Sequence, residues 1–185
     1  QEAANKGFLS FLGRKEVPLL LSGLKNGGPA VRKGCAELLG ELKEASAAPL
    51  LIESLGDADL SVREEAALAL ARIGATDAIH AISNTLEAIP RAACSALCDL
   101  MATDVLREAL KHPNPKVRYI VLNHGERLPE PLRSDLGRII VDRELFNDSD
   151  HKVSTEAIVL LGRLGYGESF GLLLDLLASP HDPVI

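Results

Sequence analysis

Apolar residues recur along the chain at spacings typical of short amphipathic helices arranged in pairs. Four valines align the copies: Val31, Val62, Val117 and Val153. Each valine is followed eleven residues later by leucine or isoleucine, and a leucine precedes it by seven or eight residues. The leucines at 24, 55 and 86 are spaced by 31 residues in both steps. A unit of that length holds two helices and two tight turns, so the pattern predicts one helix pair, repeated.

Turn-forming residues mark the same point in each unit. Gly, Pro, Asn and Asp cluster between the first and the second helix, where they stop one helix and cap the next. Gly74 and Gly165 supply stop signals after the second helix. The predicted pairs are 17–25 with 29–43, 47–55 with 60–73, 77–88 with 90–101, 104–111 with 116–128, and 132–146 with 151–164.

The third pair and the two ends depart from this regularity. Helix 90–101 lacks the Val-Arg step, and only 24 residues separate Leu86 from Leu110, which indicates a degenerate unit. Segment 1–12 reads as a second helix without its first, and 169–178 as a first helix without its second. We therefore expect residues 1–185 to form a single array that is a segment of a longer solenoid.

Composition supports an all-α fold and narrows the partners. Apolar residues make up 46% of the chain but aromatic residues only 3%, so small aliphatic side chains must fill the core. The net charge of −6 argues against a general nucleic-acid binder. No apolar run approaches the roughly 20 residues of a membrane span. Three cysteines give no disulfide framework and favour a reducing compartment, so we expect a cytoplasmic protein.

Residues 57–74 carry the clearest copy of the unit, with the pattern D-x-D-x-x-V-R-x-x-A-A-x-A-L-x-R-I-G. This pattern resembles the HEAT repeat, and more closely the short HEAT-like repeat known from phycobilisome lyase subunits. The resemblance implies a right-handed α-solenoid of antiparallel helix pairs whose second helices line a concave face. It also implies a ladder along the stack between loop acids and the arginines that follow the valines. Candidates for that ladder are Asp57 or Asp59 with Arg63, and Arg32 and Arg118 in neighbouring units.

Candidate binding residues lie at equivalent positions on the second helices. Ten residues after the valine, three of the four units have arginine: Arg72, Arg127 and Arg163. These arginines could form a basic stripe for an acidic partner, or they could simply satisfy carbonyls at helix ends. The rows two and six residues after the valine are chemically mixed, as in a specific groove or in a drifting solvent face. Their most informative members are Leu68, Tyr119, Asn123 and Val159.

Other reactive residues point to structure rather than chemistry. Cys94 and Cys98 share a helix face and are expected to be buried thiols, since metal binding needs further ligands. The five histidines are scattered, and Glu64-Glu65 stands where some HEAT-like enzymes have the His-Glu pair that binds iron. The glycines near Tyr166 follow a helix rather than a strand, unlike a dinucleotide loop. We expect no catalytic residue, no metal and no cofactor.

The sequence favours a non-enzymatic scaffold that binds a protein partner on the concave face of the solenoid. The alternative is a regulatory or chaperone-like subunit of an enzyme, such as a bilin lyase-type complex, and an architectural spacer is a third possibility. Nucleic acid and membrane are not expected as partners, and a small molecule is not favoured.

Reversing the charge of Arg72, Arg127 and Arg163 together should weaken partner binding and leave helicity unchanged, because the stripe would lose its attraction for acidic groups. Circular dichroism and a pull-down measure the two effects. If the triple variant unfolds, the arginines are structural and the stripe hypothesis fails.

Overall fold

The computed structural model describes residues 16–165. These residues form ten α-helices and four short 3-10 turns, with no strand among them. Packing divides the chain into two compact units, Gln1–Leu106 and Arg107–Ile185. The helices predicted for 1–12 and 169–178 lie outside the described residues. The all-α prediction is confirmed, and the single array over 1–185 stays a prediction.

The first unit contains three helix pairs. Their bounds are α1 Val17–Asn26 with α2 Pro29–Glu41, α3 Ala48–Ser54 with α4 Leu60–Ile73, and α5 Ile79–Ser83 with α6 Pro90–Asp99. The 3-10 turns Ala45–Ala47 and Thr76–Ala78 lead into α3 and α5. The second helices pack in succession, α2 on α4 and α4 on α6. Helix α7, Thr103–Ala109, spans the boundary at residue 106.

The second unit continues the helix-pair pattern with shorter elements. Its further helices are α8 Pro115–Asn123, α9 Leu132–Asp142 and α10 His151–Leu164, with 3-10 turns at Gly125–Arg127 and Leu145–Asn147. Helix α8 packs against α10. None of the helices between residues 16 and 165 is long and apolar enough to cross a membrane.

Two helices of the second unit end earlier than their sequences predict. The predicted helix 116–128 ends at Asn123, and a Cβ on Gly125 would lie 2.6 Å from Cδ2 of Leu160. Glycine therefore lets the chain pass close to α10. The predicted helix 132–146 ends at Asp142, because Glu144 has a left-handed backbone with φ of 52° that breaks the helical hydrogen bonding.

Left-handed residues correct the alignment of the third pair. Lys43, Gly74 and Gly165 each follow the valine of their unit by twelve residues, and their φ angles are 51°, 80° and 60°. Met101 has the same conformation, with φ of 56°, and it lies twelve residues after Ile89. Ile89 therefore takes the place of the valine, and the arginine that should follow is a proline.

This alignment makes Ile82, rather than Leu86, the counterpart of Leu55, since both precede the aligned residue by seven. Ile82 is fully buried. The predicted spacing of 31 residues between Leu55 and Leu86 was wrong as a repeat length. The third repeat is 27 residues long, the spacing between Leu55 and Ile82. Its first helix is short: α5 has five residues, and the Thr85 hydroxyl donates to the Ile82 carbonyl 2.7 Å away at its end.

Small side chains allow the second helices to approach closely. A Cβ on Gly40 would lie 2.8 Å from the Cα of Ala69, so α2 and α4 cross almost backbone to backbone. Ala36, Ala66 and Ala69 are fully buried at this level of the unit. One anchoring position differs from the rest: Val62, Val117 and Val153 are buried, whereas Val31 is 53% exposed.

An arginine–aspartate pair joins the first two units of the repeat. Arg32 Nε and Nη2 each lie 2.7 Å from an Asp57 carboxylate oxygen, and Arg32 Nη1 donates to the Gly27 carbonyl. The hydrogen bond from Arg32 is the main reason that the pKa of Asp57 lies below its ordinary value. Arg63 donates to the backbone carbonyl of Asp57, and Asp59 caps α4 through Ser61.

The same arrangement recurs in the second unit. Arg118 Nε and Nη2 lie 2.8 and 2.7 Å from the Asp148 carboxylate oxygens, and Arg118 Nη1 donates to the His112 carbonyl at 2.7 Å. Burial alone would raise the pKa of Asp148, but Arg118 and the Asp150 N–H outweigh it, so that pKa is lowered. The predicted ladder is therefore present at Arg32–Asp57 and Arg118–Asp148. The predicted pairing of Arg63 with the Asp57 or Asp59 carboxylate was wrong, because Arg63 bonds the Asp57 backbone carbonyl and Arg32 takes the Asp57 carboxylate. Ser154 follows Val153 as Arg118 follows Val117, but it forms no such pair. Its hydroxyl donates to the backbone carbonyl of His151.

We expect Asp148→Ala to lower the free energy of unfolding by about 2 kcal/mol, because it leaves the 13% exposed Arg118 guanidinium without its carboxylate. Urea unfolding measures the change. The control is Asp142→Ala, which removes an exposed carboxylate at the end of α9. An equal loss in the two variants would contradict the role of the pair.

This difference should also depend on pH. Because the pKa of Asp148 is lowered in the folded chain, its contribution is complete above the ordinary aspartate value of about 3.9 and is lost as the pH falls through the folded value. The gap between the wild type and Asp148→Ala should therefore shrink below about pH 4.

Candidate protein-binding surface

The second helices of the first unit expose a mixed set of charges. The exposed charged side chains on these helices are Lys33, Glu37, Glu64, Arg72, Arg91 and Asp99, and the large exposed apolar ones are Val31 and Leu60. Leu68, a predicted contact residue, is half-buried between Glu64 and Arg72 on α4. This face has neither a dominant charge nor a large apolar area, so it does not by itself indicate one kind of partner.

Arg72 is tied to the interior of the first unit. Its Nη1 lies 2.7 Å from Oε1 of Glu65, whose side chain is only 11% exposed. The Cδ of Arg72 also lies 3.5 Å from the place of a Cβ on Gly40 of the neighbouring helix. Arg72 therefore covers the crossing of α2 and α4 and neutralises a buried carboxylate.

The second unit presents a different surface, which we name the α8/α10 face. It consists of the outward residues of two packed second helices and of the turn after α8. Its members are Lys116, Tyr119, Asn123, Arg127, Lys152, Thr155, Val159 and Arg163. Lysines lie at the start of both helices and arginines at the end, with uncharged residues between them. Tyr119 is half-buried and the other seven are exposed.

Equivalent N-terminal caps place the residues of α8 and α10 at matching positions on this face. Asn114 accepts from the N–H of Lys116, and Asp150 accepts from the N–H of Lys152. Each lysine is thus the second residue of its helix. A cation in the first turn opposes the helix dipole and costs roughly 0.3 to 1 kcal/mol. Neither lysine side chain forms an ion pair within the described part of the chain, so folding does not explain their presence.

Two residues in the second half of α10, Val159 and Gly162, are also not optimal for helix stability. Val159 is 40% exposed, and β-branched residues are mediocre helix formers. Gly162 is exposed, and among the described residues no atom lies within 4 Å of the place of its Cβ. Neither backbone conformation nor packing within residues 16–165 requires glycine there, although it costs about 1 kcal/mol relative to alanine.

The predicted arginine stripe is divided between the two compact units. Arg127 and Arg163 belong to the second unit, while Arg72 belongs to the first. Arg163 Nη1 lies 3.9 Å from Oε1 of Glu126, and both side chains are more than half exposed, so this pair is weak. It stays a prediction that a partner binds the three arginines together with Leu68, Tyr119, Asn123 and Val159.

Sequence reasoning overlooked three charged residues of these surfaces. In the sequence Glu65 stands out only as part of the Glu64-Glu65 pair that replaces His-Glu, yet it is the buried partner of Arg72. Lys116 and Lys152 could have been found from the sequence, since each follows a helix cap by two residues, where acidic side chains are preferred.

The thiols and possible metal ligands are consistent with structural roles. Cys35, Cys94 and Cys98 are buried and not disulfide-bonded, and burial raises the pKa of Cys35. Within residues 16–165, no three His, Cys, Asp or Glu side chains are grouped so that they could hold a metal ion.

Comparison with known families decides what kind of repeat this is. The HEAT repeats family matches residues 17–97. Residues 17–97 are therefore HEAT repeats. The resemblance carried by residues 57–74 is confirmed, and these HEAT repeats include the degenerate third pair.

Two known proteins are similar to this chain. The bilin biosynthesis protein PecE of Mastigocladus laminosus is 36% identical over 106 residues, which is 57% of this chain and 38% of PecE. A chain in the structure of the complex of CpcE and CpcF of phycocyanin lyase from Nostoc sp. PCC7120 is 25% identical, with a TM-score of 0.52. That match covers 85% of this chain and 67% of the other.

We expect Arg72→Glu to lower the free energy of unfolding by about 2 kcal/mol, because it places a second carboxylate beside the buried Glu65. Adding Glu65→Gln should recover most of the loss, since an amide can donate to the new carboxylate. The control Arg163→Glu should cost less than about 1 kcal/mol. Urea unfolding of the four proteins measures these values, and equal losses at 72 and 163 would refute the anchoring role.

The Arg72–Glu65 pair also changes how the basic stripe must be tested. Charge reversal at 72 confuses binding with stability, so binding experiments should use substitutions in the second unit.

Proposed function

We propose that this chain is the HEAT-repeat part of a non-catalytic subunit in a bilin lyase-type assembly, where it holds a protein partner. The observation that carries the proposal is the identity of 36% with the bilin biosynthesis protein PecE over 106 residues. The sequence alone favoured a general scaffold, with the lyase-type subunit as the alternative. The relatives support that alternative better, and a binding role is compatible with both.

The nature of the second relative bears on the partner. CpcE and CpcF occur together in a complex of phycocyanin lyase. By analogy, the partner of this chain would be another protein of such an assembly. The chain spans 38% of the length of PecE.

The structure supports a role in holding and positioning. Both units are fixed internally by bidentate arginine–aspartate pairs between successive repeats, so their exposed helix faces are formed before a partner arrives. A preformed surface loses little conformational entropy on binding. Aromatic anchors are scarce, since the sequence has two tyrosines and no tryptophan, so affinity must come from many moderate contacts.

The proposal is tested by expressing the full parent protein with a second HEAT-repeat lyase subunit and a biliprotein acceptor. We expect the two repeat proteins to co-purify, and bilin attachment, read from visible absorbance, to require both. The parent protein alone should attach no bilin. A parent protein that attaches bilin unaided, or that co-purifies with neither component, contradicts the proposal.

A further inference from the structure

We propose that the α8/α10 face binds an acidic polypeptide segment of the partner, with carboxylates at the two charged ends and apolar side chains at the centre. The proposal rests on the proposed function only in taking the ligand to be a protein. Its own basis is the distribution of charge and the residues on this face that weaken the fold.

The charge of the face opposes that of the chain. The protein has a net charge of −6, yet Lys116, Lys152, Arg127 and Arg163 lie on the α8/α10 face. Glu126 pairs only loosely with Arg163, and Glu156 on α10 is half-buried. The face is therefore a basic region on an acidic molecule, complementary to carboxylates.

The positions of Lys116 and Lys152 show whether the basic residues of this face serve folding or binding. Arginine at the end of a helix stabilises it, so Arg163 alone would be explained by folding. Lys116 and Lys152 are in the first turns, where a positive charge is unfavourable, and both occupy the same helix position. A residue type that weakens the second helices of two repeats at equivalent sites is consistent with selection for a ligand.

The centre of the face suits a peptide rather than a free anion. Between the charged ends lie Tyr119 and Asn123 on α8, and Thr155 and Val159 on α10. Tyrosine and an exposed valine offer apolar contact, while asparagine and threonine can bond a peptide backbone. Gly162 beside them lets a backbone approach α10 closely.

The helix geometry sets the spacing of the ligand. Lys152 and Arg163 are eleven residues apart, which is about 16 Å along a helix. An extended segment covers that distance in about five residues. The expected ligand thus has acidic residues about five positions apart, with apolar residues between them.

A polypeptide fits better than a nucleic acid. The chain has a net charge of −6, so it would repel a long phosphate backbone that extended beyond the face. A short acidic segment avoids that repulsion because its charge is local.

The test uses the full chain and a fluorescein-labelled peptide that carries glutamates at both ends and leucines at its centre. We expect binding, measured by anisotropy, to weaken as salt is added and to be at least tenfold weaker for Lys116→Glu/Lys152→Glu. The same double variant should unfold at a temperature about 2 to 4 °C higher, since it removes an unfavourable charge from two first turns.

The matched control is Lys25→Glu/Lys43→Glu, which makes the same change of net charge at exposed sites in the first unit. Its affinity for the peptide should stay within about twofold of the wild type. A peptide with glutamine in place of glutamate should bind at least tenfold more weakly than the original.

Three results would overturn the proposal: equal binding of the glutamine peptide, an equal loss in the control variant, or tighter binding of a single-stranded oligonucleotide than of the acidic peptide. Its failure can be told apart from failure of the proposed function. If the peptide does not bind but the parent protein still assembles with the second lyase subunit, only the α8/α10 face is wrong. If the peptide binds and the assembly does not form, the lyase role is wrong.

Discussion

The bidentate pair between an arginine and the loop aspartate of the next repeat is the interaction on which each unit depends. A core of alanine, leucine and valine packs well but specifies register poorly, because these side chains interchange with little penalty. The pairs Arg32–Asp57 and Arg118–Asp148 supply direction and distance. Each pair also bonds a carbonyl of the preceding loop, so turn, helix start and repeat spacing are fixed together.

Small residues determine how closely the helices approach, and the ladder determines the spacing of the repeats. Glycine at 40 lets α2 and α4 approach until backbone meets alanine, and Arg72 then covers the crossing while it neutralises Glu65. The third repeat lacks the ladder residue, since Pro90 follows Ile89, and its first helix has shrunk to five residues. It is held instead by buried aliphatic residues on α6, such as Ala93 and Leu97. The proposed function relies on this preformed surface.

Most of the fold could be predicted from the sequence because period, turn residues and helix stops agree. The bounds of α4 and α10, Leu60–Ile73 and His151–Leu164, match their predictions. The third repeat could not be aligned correctly, because the marker that aligns it is the left-handed backbone of Met101, and no glycine signals it. The binding surface was harder still, since burial of Glu65 and exposure of Val159 depend on neighbouring helices. The two lysines, by contrast, could have been found from the sequence, since Lys116 and Lys152 each follow a cap residue by two.

The central claim is that the α8/α10 face is where carboxylates of a partner bind. Zero-length carbodiimide cross-linking of the assembled complex, followed by peptide mass spectrometry, tests it most directly, because that reagent joins a lysine only to a carboxylate in contact with it. The account predicts cross-links from partner aspartate or glutamate to Lys116 and Lys152. Cross-links confined to Lys25, Lys33 and Lys43 of the first unit would contradict it.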